Sequence, residues 1–167
     1  MITWDEEFSH RYDEWSASMT ADIEFYVDLA RIANGPIVEL AVGNGRVAVP
    51  VARATGRPVI GIDTSAAMLD QARTNARAAN VQLELREGDM RDLAVSEPAA
   101  LIYCPFRALL HLPTWADRRR TFERVAASLT GRTICVERLR FRPHHRRQSR
   151  RQAPRRARTP YQPVLRR

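Results

Sequence analysis

The sequence predicts an α/β protein built on an open, doubly wound, mostly parallel sheet. Three observations carry that prediction. Short apolar runs alternate with helix-patterned stretches from residue 37 to residue 136, the order that places a parallel sheet between two layers of helices. The first apolar run, residues 37–41, opens into Val42-Gly43-Asn44-Gly45, a tight strand-to-helix turn. The second, residues 59–63, ends on the carboxylate of Asp63. Right-handed crossovers bring the carboxyl ends of such strands to one edge, where ligands bind.

Each element follows from its own pattern. Trp4, Phe8, Tyr12 and Trp15 recur at spacings of four, four and three, which puts their rings on one helical face. Residues 20–33 read as a second helix with Ile23, Val27 and Ala30 as its apolar stripe. Thr20 or Asp22 is its expected cap, and Asn34-Gly35-Pro36 its stop. Residues 37–41 suit a strand buried on both faces. Residues 46–55 form a helix closed by Gly56, and residues 59–63 the next strand. Thr64 or Ser65 caps a helix over residues 66–79. Residues 81–86 alternate apolar and polar, the period of a half-exposed strand. Residues 99–104 make a fourth strand, 113–129 a helix, and 133–136 a fifth strand.

The bulk properties narrow the class. A chain of 167 residues is one domain by length and buries a core without disulfides. Its two cysteines, Cys104 and Cys135, match no zinc spacing, and no metal site is expected. No apolar run approaches the ~20 residues of a membrane-spanning helix. The start, MITWDEEFSHRYDEW, lacks the basic and apolar regions of a signal peptide. A soluble, cytoplasmic chain with no membrane partner is the expectation.

Gly43 and Gly45 sit where a chain must turn sharply and let a ligand approach its backbone. Alone they are weak evidence, and an ordinary tight turn is the alternative. Asp63 lies 18 residues beyond Gly45. A carboxylate at that strand end can accept hydrogen bonds from both ribose hydroxyls of an adenosine cofactor, or it can cap the helix that follows. Gly88-Asp89-Met90 ends the third strand. There Asp89 can accept from an adenine amino group, or can simply terminate a turn.

Taken together these segments resemble the class I S-adenosylmethionine-dependent methyltransferases, of the small-molecule type. The first motif of that family reads here Glu39-Leu40-Ala41-Val42-Gly43-Asn44-Gly45-Arg46, the second Gly61-Ile62-Asp63-Thr64-Ser65 with Met68 following, and the third Glu87-Gly88-Asp89-Met90-Arg91-Asp92-Leu93. Residues 101–113, LIYCPFRALLHLP, also resemble the family, and YDEW near the N-terminus resembles its helical lid. The resemblance spans residues 8–131 and implies a Rossmann-like sheet. The implied division is a lid over residues 1–33, a cofactor-binding domain over 34–137, and a tail over 138–167.

The resemblance also implies roles. Glu39 faces the amino-acid end of S-adenosylmethionine, and the backbone of Ala41, Gly43 and Gly45 lines its methionine part. Asp63, with Thr64 beside it, holds the ribose. Met68 and Ile62 pack on the adenine, which Asp89 and Met90 border. Cys104, Pro105 and Phe106 lie near the sulfonium, where a small-molecule methyl acceptor arrives, and Tyr12 and Trp15 close over the site. Methyl transfer is an in-line displacement in which positioning does most of the work. A base is needed only if the acceptor must lose a proton. His111 is the candidate for that role, and a structural histidine is its plainer alternative. Cys104 reads as a small core residue rather than a nucleophile. One departure lies inside the motifs: Ala41 stands where the family most often has its first glycine, and alanine disfavours a positive φ.

The pattern changes after Gly131. Residues 132–167 hold 13 Arg and a single acid, Glu137, whereas residues 1–131 hold 14 Arg and 18 acids, and the whole chain is +8. All 27 basic residues are Arg, a sign of GC-rich coding sequence. With four Pro and no apolar periodicity, residues 138–167 read as disordered. The shift falls inside an expected strand, so the sheet is expected to be incomplete at its C-terminal edge. A GC-rich gene translated out of frame from about residue 131 accounts for it. A basic tail that binds nucleic acid through phosphate and a solvated or protein-binding extension are the alternatives. An incomplete sheet exposes apolar surface and an open edge, so marginal stability and a homodimer are expected. The leading function is methyl transfer from S-adenosylmethionine to a small molecule. Its alternatives are an inactive remnant of such an enzyme and a nucleic-acid-binding protein acting through the tail. A dinucleotide-dependent dehydrogenase fits less well, because Ala48 stands where its fingerprint has a third glycine.

Overall fold

A computed structural model describes residues 18–130 and the backbone of a two-residue strand at 135–136. The elements in order are α1 (Ile23–Ile32), β1 (Ile37–Leu40), α2 (Ala48–Thr55), β2 (Val59–Asp63), α3 (Ala66–Ala78), β3 (Leu83–Glu87), β4 (Leu101–Tyr103), α4 (Trp115–Ala127) and β5 (Cys135–Val136). Two short 3-10 turns, Met90–Asp92 and Ala108–His111, follow β3 and β4. The strands run β3-β2-β1-β4-β5 across the sheet, and every pair is parallel. This is the Rossmann-like arrangement that the alternating pattern predicts. The chain turns from one side of β1 to the other between β3 and β4, and that reversal opens a crevice beyond the strand ends.

Strand periodicity divides the core into two layers. Ile37, Val59, Leu101 and Tyr103 point to the face covered by α1, α2 and α3, where they pack on Tyr26, Ala30, Val51 and Leu69. Val38, Leu40, Ile62 and Ile102 point to the opposite face, onto Leu93, Leu109 and Leu112 in or next to the two short turns and Val125 of α4. β1 sits at the centre and is buried at every position. β3 lies outside β2, and its Glu84 and Arg86 pair with one another at 2.8 Å, which explains its alternating sequence. Leu110 in the second short turn and Trp115 and Phe122 on α4 are 57%, 71% and 43% exposed.

Helix ends differ in detail from the sequence expectation, each for a local reason. α1 begins after Asp22, whose side chain makes no cap bond because its carboxylate pairs with Arg46. Ser65, not Thr64, caps α3 by accepting from the Met68 N–H at 3.3 Å. Thr114 and Asp117 form a reciprocal capping box on α4, which starts that helix two residues later than its apolar pattern suggests. The predicted helix over residues 3–17 and the predicted tail over 138–167 lie outside the described residues.

Gly61 occupies the middle of β2 because its neighbours leave no room for a side chain. A Cβ there meets Val42 Cγ2 at 2.8 Å and Leu85 Cδ2 at 2.9 Å. Gly61→Ala is therefore expected to destabilise the fold by about 1–3 kcal/mol through overpacking, read as a lowered urea midpoint. An unchanged midpoint contradicts the packing described.

Candidate functional site

Alternation along β1 puts Glu39 on the same face as Ile37, inside the sheet's most buried strand. Parallel register sets Gly61 on one side of it and Tyr103 on the other. Glu39 is 1% exposed. Neither its Oε2 nor the Tyr103 hydroxyl completes a hydrogen bond among the described residues. Burial is the main force on the carboxyl and pushes its pKa up to about 8. The Tyr103 hydroxyl, a loose contact short of hydrogen-bond geometry, and the Arg46 charge pull the other way, while Asp22 and Asp63 add to the rise. Burial and the nearby Glu39 push the Tyr103 phenol up as well.

The turn after β1 is held from β2. Asp63 Oδ2 accepts the Gly43 N–H at 2.8 Å, and its Oδ1 accepts the Ser65 N–H at 2.9 Å. The Val42 N–H donates to the Ile62 carbonyl at 3.0 Å. One carboxylate thus fixes both the glycine turn and the entry to α3, with lone pairs left for a ligand. Gly43 has a φ of +54°, and a Cβ built on it meets nothing within 4 Å, so the turn's backbone faces open space. Gly45 serves packing instead: a Cβ there lies 3.3 Å from Val49 Cγ2 and 3.5 Å from Ala72 Cβ. Ala41 adopts a φ of +52°, the left-handed conformation for which a glycine is the ordinary choice.

Two clefts join over this edge. The first, about 340 Å³, is lined by Glu39, Ala41, Gly43, Asp63, Thr64, Met68, Met90, Phe106 and His111 of the sequence-predicted set, with Val42, Asn44, Arg46, Val47, Ser65, Pro105 and Ala108 completing it. The second, about 250 Å³, shares Ala41, Asp63, Thr64, Met90 and His111 with it and adds Ile62, Gly88, Asp89, Arg91, Leu112 and Pro113. Gly45 and Cys104 line neither cleft. Cys104 is fully buried in the apolar layer under α4, and it is the following Pro105 that reaches the wall. Tyr12 and Trp15 lie outside the described residues.

Asp89 enters the second cleft already engaged. It caps the Met90–Asp92 turn and accepts from the Arg91 N–H at 2.8 Å and from Arg91 Nη2 at 2.6 Å. These bonds hold its carboxyl below the usual carboxylate range. Arg91 also donates to Asp117 at 2.9 Å, which ties this wall to the capping box of α4.

Sequence reasoning missed the arginines that set these walls. Arg46 follows the glycine pair directly, which was the available signal. Its partner Asp22, at 2.7 and 2.9 Å, lies 24 residues away, beyond any local pattern. On α4, Arg118 donates to the Leu109 and Leu112 carbonyls at 3.3 and 3.1 Å, and Arg124 to the Leu93 carbonyl at 3.0 Å. These guanidinium groups anchor the two short turns that carry Met90 and His111. No group of three or more metal-ligating side chains occurs among the described residues.

The buried carboxyl has a measurable consequence. Because the folded pKa of Glu39 is raised to about 8 from an ordinary 4.5, the folded state binds the extra proton between those values. Stability attributable to this group is full below the lower value and falls as pH rises toward the upper one. Glu39→Gln, which keeps the shape without the titration, is expected to flatten the pH dependence of the urea midpoint and to be the more stable chain at pH 9. An unaltered pH profile contradicts this. Ala41→Gly relieves a left-handed alanine and is expected to raise stability by about 0.5–1 kcal/mol. A lowered midpoint contradicts the strain inferred at this turn.

Similarity to known proteins agrees with this geometry. Residues 37–131 match a family model described as a methyltransferase domain. The chain is similar in structure to the CcbJ methyltransferase from Streptomyces caelestis, at 25% identity and a TM-score of 0.63, over 70% of this chain and 48% of that one. It is similar to a S-adenosylmethionine-dependent methyltransferase from Clostridium acetobutylicum, at 19% identity and a TM-score of 0.65, over 78% and 55%. A methyltransferase from Thiobacillus denitrificans, solved with S-adenosyl-L-homocysteine, is 21% identical with a TM-score of 0.60, over 75% and 53%. The chain spans about half the length of these structures. No curated protein sequence matches it. The family match takes in β1 through α4, the elements that build both clefts, and the chain belongs to the methyltransferase-domain family.

Proposed function

We propose that the joined clefts bind S-adenosylmethionine and that the protein transfers its methyl group to a small molecule, in the cytoplasm. The observation that carries this reading is the orphaned, buried Oε2 of Glu39, an acceptor at the cleft wall with nothing in the described residues to accept from. A ligand ammonium suits it. Asp63 holds the turn backbone while keeping acceptor capacity for ribose hydroxyls, and the open face of Gly43 admits the ligand chain. The second cleft, between Ile62, Asp89 and Met90, has the apolar and polar surfaces that an adenine needs. There Asp89 shares its oxygens with Arg91 rather than offering them free.

The cofactor supplies an activated methyl group on a sulfonium sulfur. The protein's own residues supply position. Pro105, Phe106 and Ala108 form an apolar wall beside Glu39 and Ala41, which limits water and orients an acceptor for in-line approach. His111 lines both clefts, which supports it as the base for an acceptor that has a proton to lose.

Calorimetric titration with S-adenosylmethionine and S-adenosylhomocysteine tests the reading. Micromolar binding is expected, weakened about tenfold or more by Asp63→Ala through lost hydrogen bonds to a charged acceptor. A ligand ammonium favours the ionised form of Glu39, so binding near neutral pH is expected to release a proton. Affinity then rises with pH toward about 8, the value of the free site. Glu39→Gln removes both effects. A folded chain that binds neither compound overturns the proposal.

A further inference from the structure

Resting on the methyltransferase reading, one cation joins the glycine turn, the segment entering α1 and Phe106. Arg46 is the first residue beyond the glycine turn and itself lines the cleft. Its guanidinium meets the Asp22 carboxylate in a two-pronged pair at 2.7 and 2.9 Å and also donates to the Met19 carbonyl. The paired side chains are only 10% and 18% exposed, so solvent weakens the pair far less than at the surface. On its other side the guanidinium carbon lies over the Phe106 ring, 5.5 Å from the centroid, a cation–π contact.

Phe106 needs such support. It and Arg107 are consecutive non-glycine residues with φ of +59° and +62°. Side chains keep that backbone only where the surroundings over-determine it. At the opposite end, Asp22 stands at the cap position of α1 but makes no cap bond. The helix forgoes a common stabilisation, and the carboxylate goes to Arg46 instead. The contacts therefore run from the segment entering α1, through Arg46, to Phe106, which lines the same cleft as Glu39.

We propose that Arg46 is a positioning residue that couples the segment entering α1 to Phe106, so that the seating of that segment sets the shape of the wall met by the methyl acceptor. A planar guanidinium can hold a bidentate carboxylate and an aromatic face at once. A lysine ammonium, as a point charge, cannot do both.

Amide hydrogen exchange on the full-length chain tests this without any ligand. Asp22→Asn and Arg46→Met are each expected to speed exchange at Ala108, Leu110 and Leu112, whose amides bond back to the Pro105, Arg107 and Leu109 carbonyls, by about tenfold, as a local opening. The double variant is expected to exchange no faster there than Arg46→Met alone, with the amides of β2 unchanged. Arg46→Lys is expected to behave like Arg46→Met. Unchanged exchange at those three amides in Asp22→Asn, or additive effects in the double variant, overturns the coupling. S-adenosylhomocysteine is expected to slow the same amides in the wild type and to lose that effect in Asp22→Asn. Equal slowing in both overturns the link between coupling and site. A wild type unaffected by the ligand overturns the methyltransferase reading, while the ligand-free exchange still decides whether Arg46 couples the two segments.

Discussion

The geometry of the site depends on one carboxylate that joins two strand ends. Asp63 ends β2 and holds the Gly43 N–H of the turn that ends β1. A backbone turn with several positive φ angles has no regular hydrogen-bond ladder of its own. Without a charged acceptor at that point, the half-buried Gly43 N–H loses its partner, at a cost of about 1–3 kcal/mol. With it, the glycine turn, the entry to α3 and the crevice between them are fixed as one unit. The parallel register of β1 and β2 makes this possible, because it brings both strand ends to the same edge.

The second feature works against stability. Glu39 sits in the central strand, where its neighbours along the sheet are glycine and tyrosine. An apolar residue at that position would pack without penalty. A carboxyl there forfeits hydration without a completed hydrogen bond, and burial drives it toward the neutral form. Buried polar groups left unmatched within a chain are where a ligand gains most by binding. The left-handed Ala41, Phe106 and Arg107 line the same edge or adjoin it, so backbone strain and unmatched polarity are concentrated at one place.

Arginine does the positioning work throughout. The chain has no lysine, and its guanidinium groups reach across the fold to carbonyls and carboxylates that no local segment satisfies. Arg57 donates to the Ala33 and Gly35 carbonyls just after α1. Arg118 and Arg124 hold the turns beside α4, and Arg91 joins Asp89 to Asp117. A planar group with five donors suits this task, since several carbonyls can be met from one fixed orientation. The result is that loops of irregular backbone, which carry most of the cleft wall, are anchored to regular elements.

Local patterning alone specifies the alternation of strand and helix, and with it the sheet and the edge at which ligands gather. It also determined which residues crowd that edge: Glu39, Asp63 and Met90 were legible because strand ends and glycine turns are written in short local patterns. Tertiary structure decided the rest. Cys104 and Pro105 are adjacent in sequence, and only packing against α4 turned the first into the core and left the second at the cleft. Gly45 and Gly43 look alike in the motif, and only the approach of Val49 and Ala72 made one a packing residue. Asp22 read as a helix cap until Arg46, far along the chain, took its carboxylate. Local patterns record backbone preference and periodicity, whereas the choice among partners for a charged side chain is made between segments distant in sequence, after the sheet has brought them together.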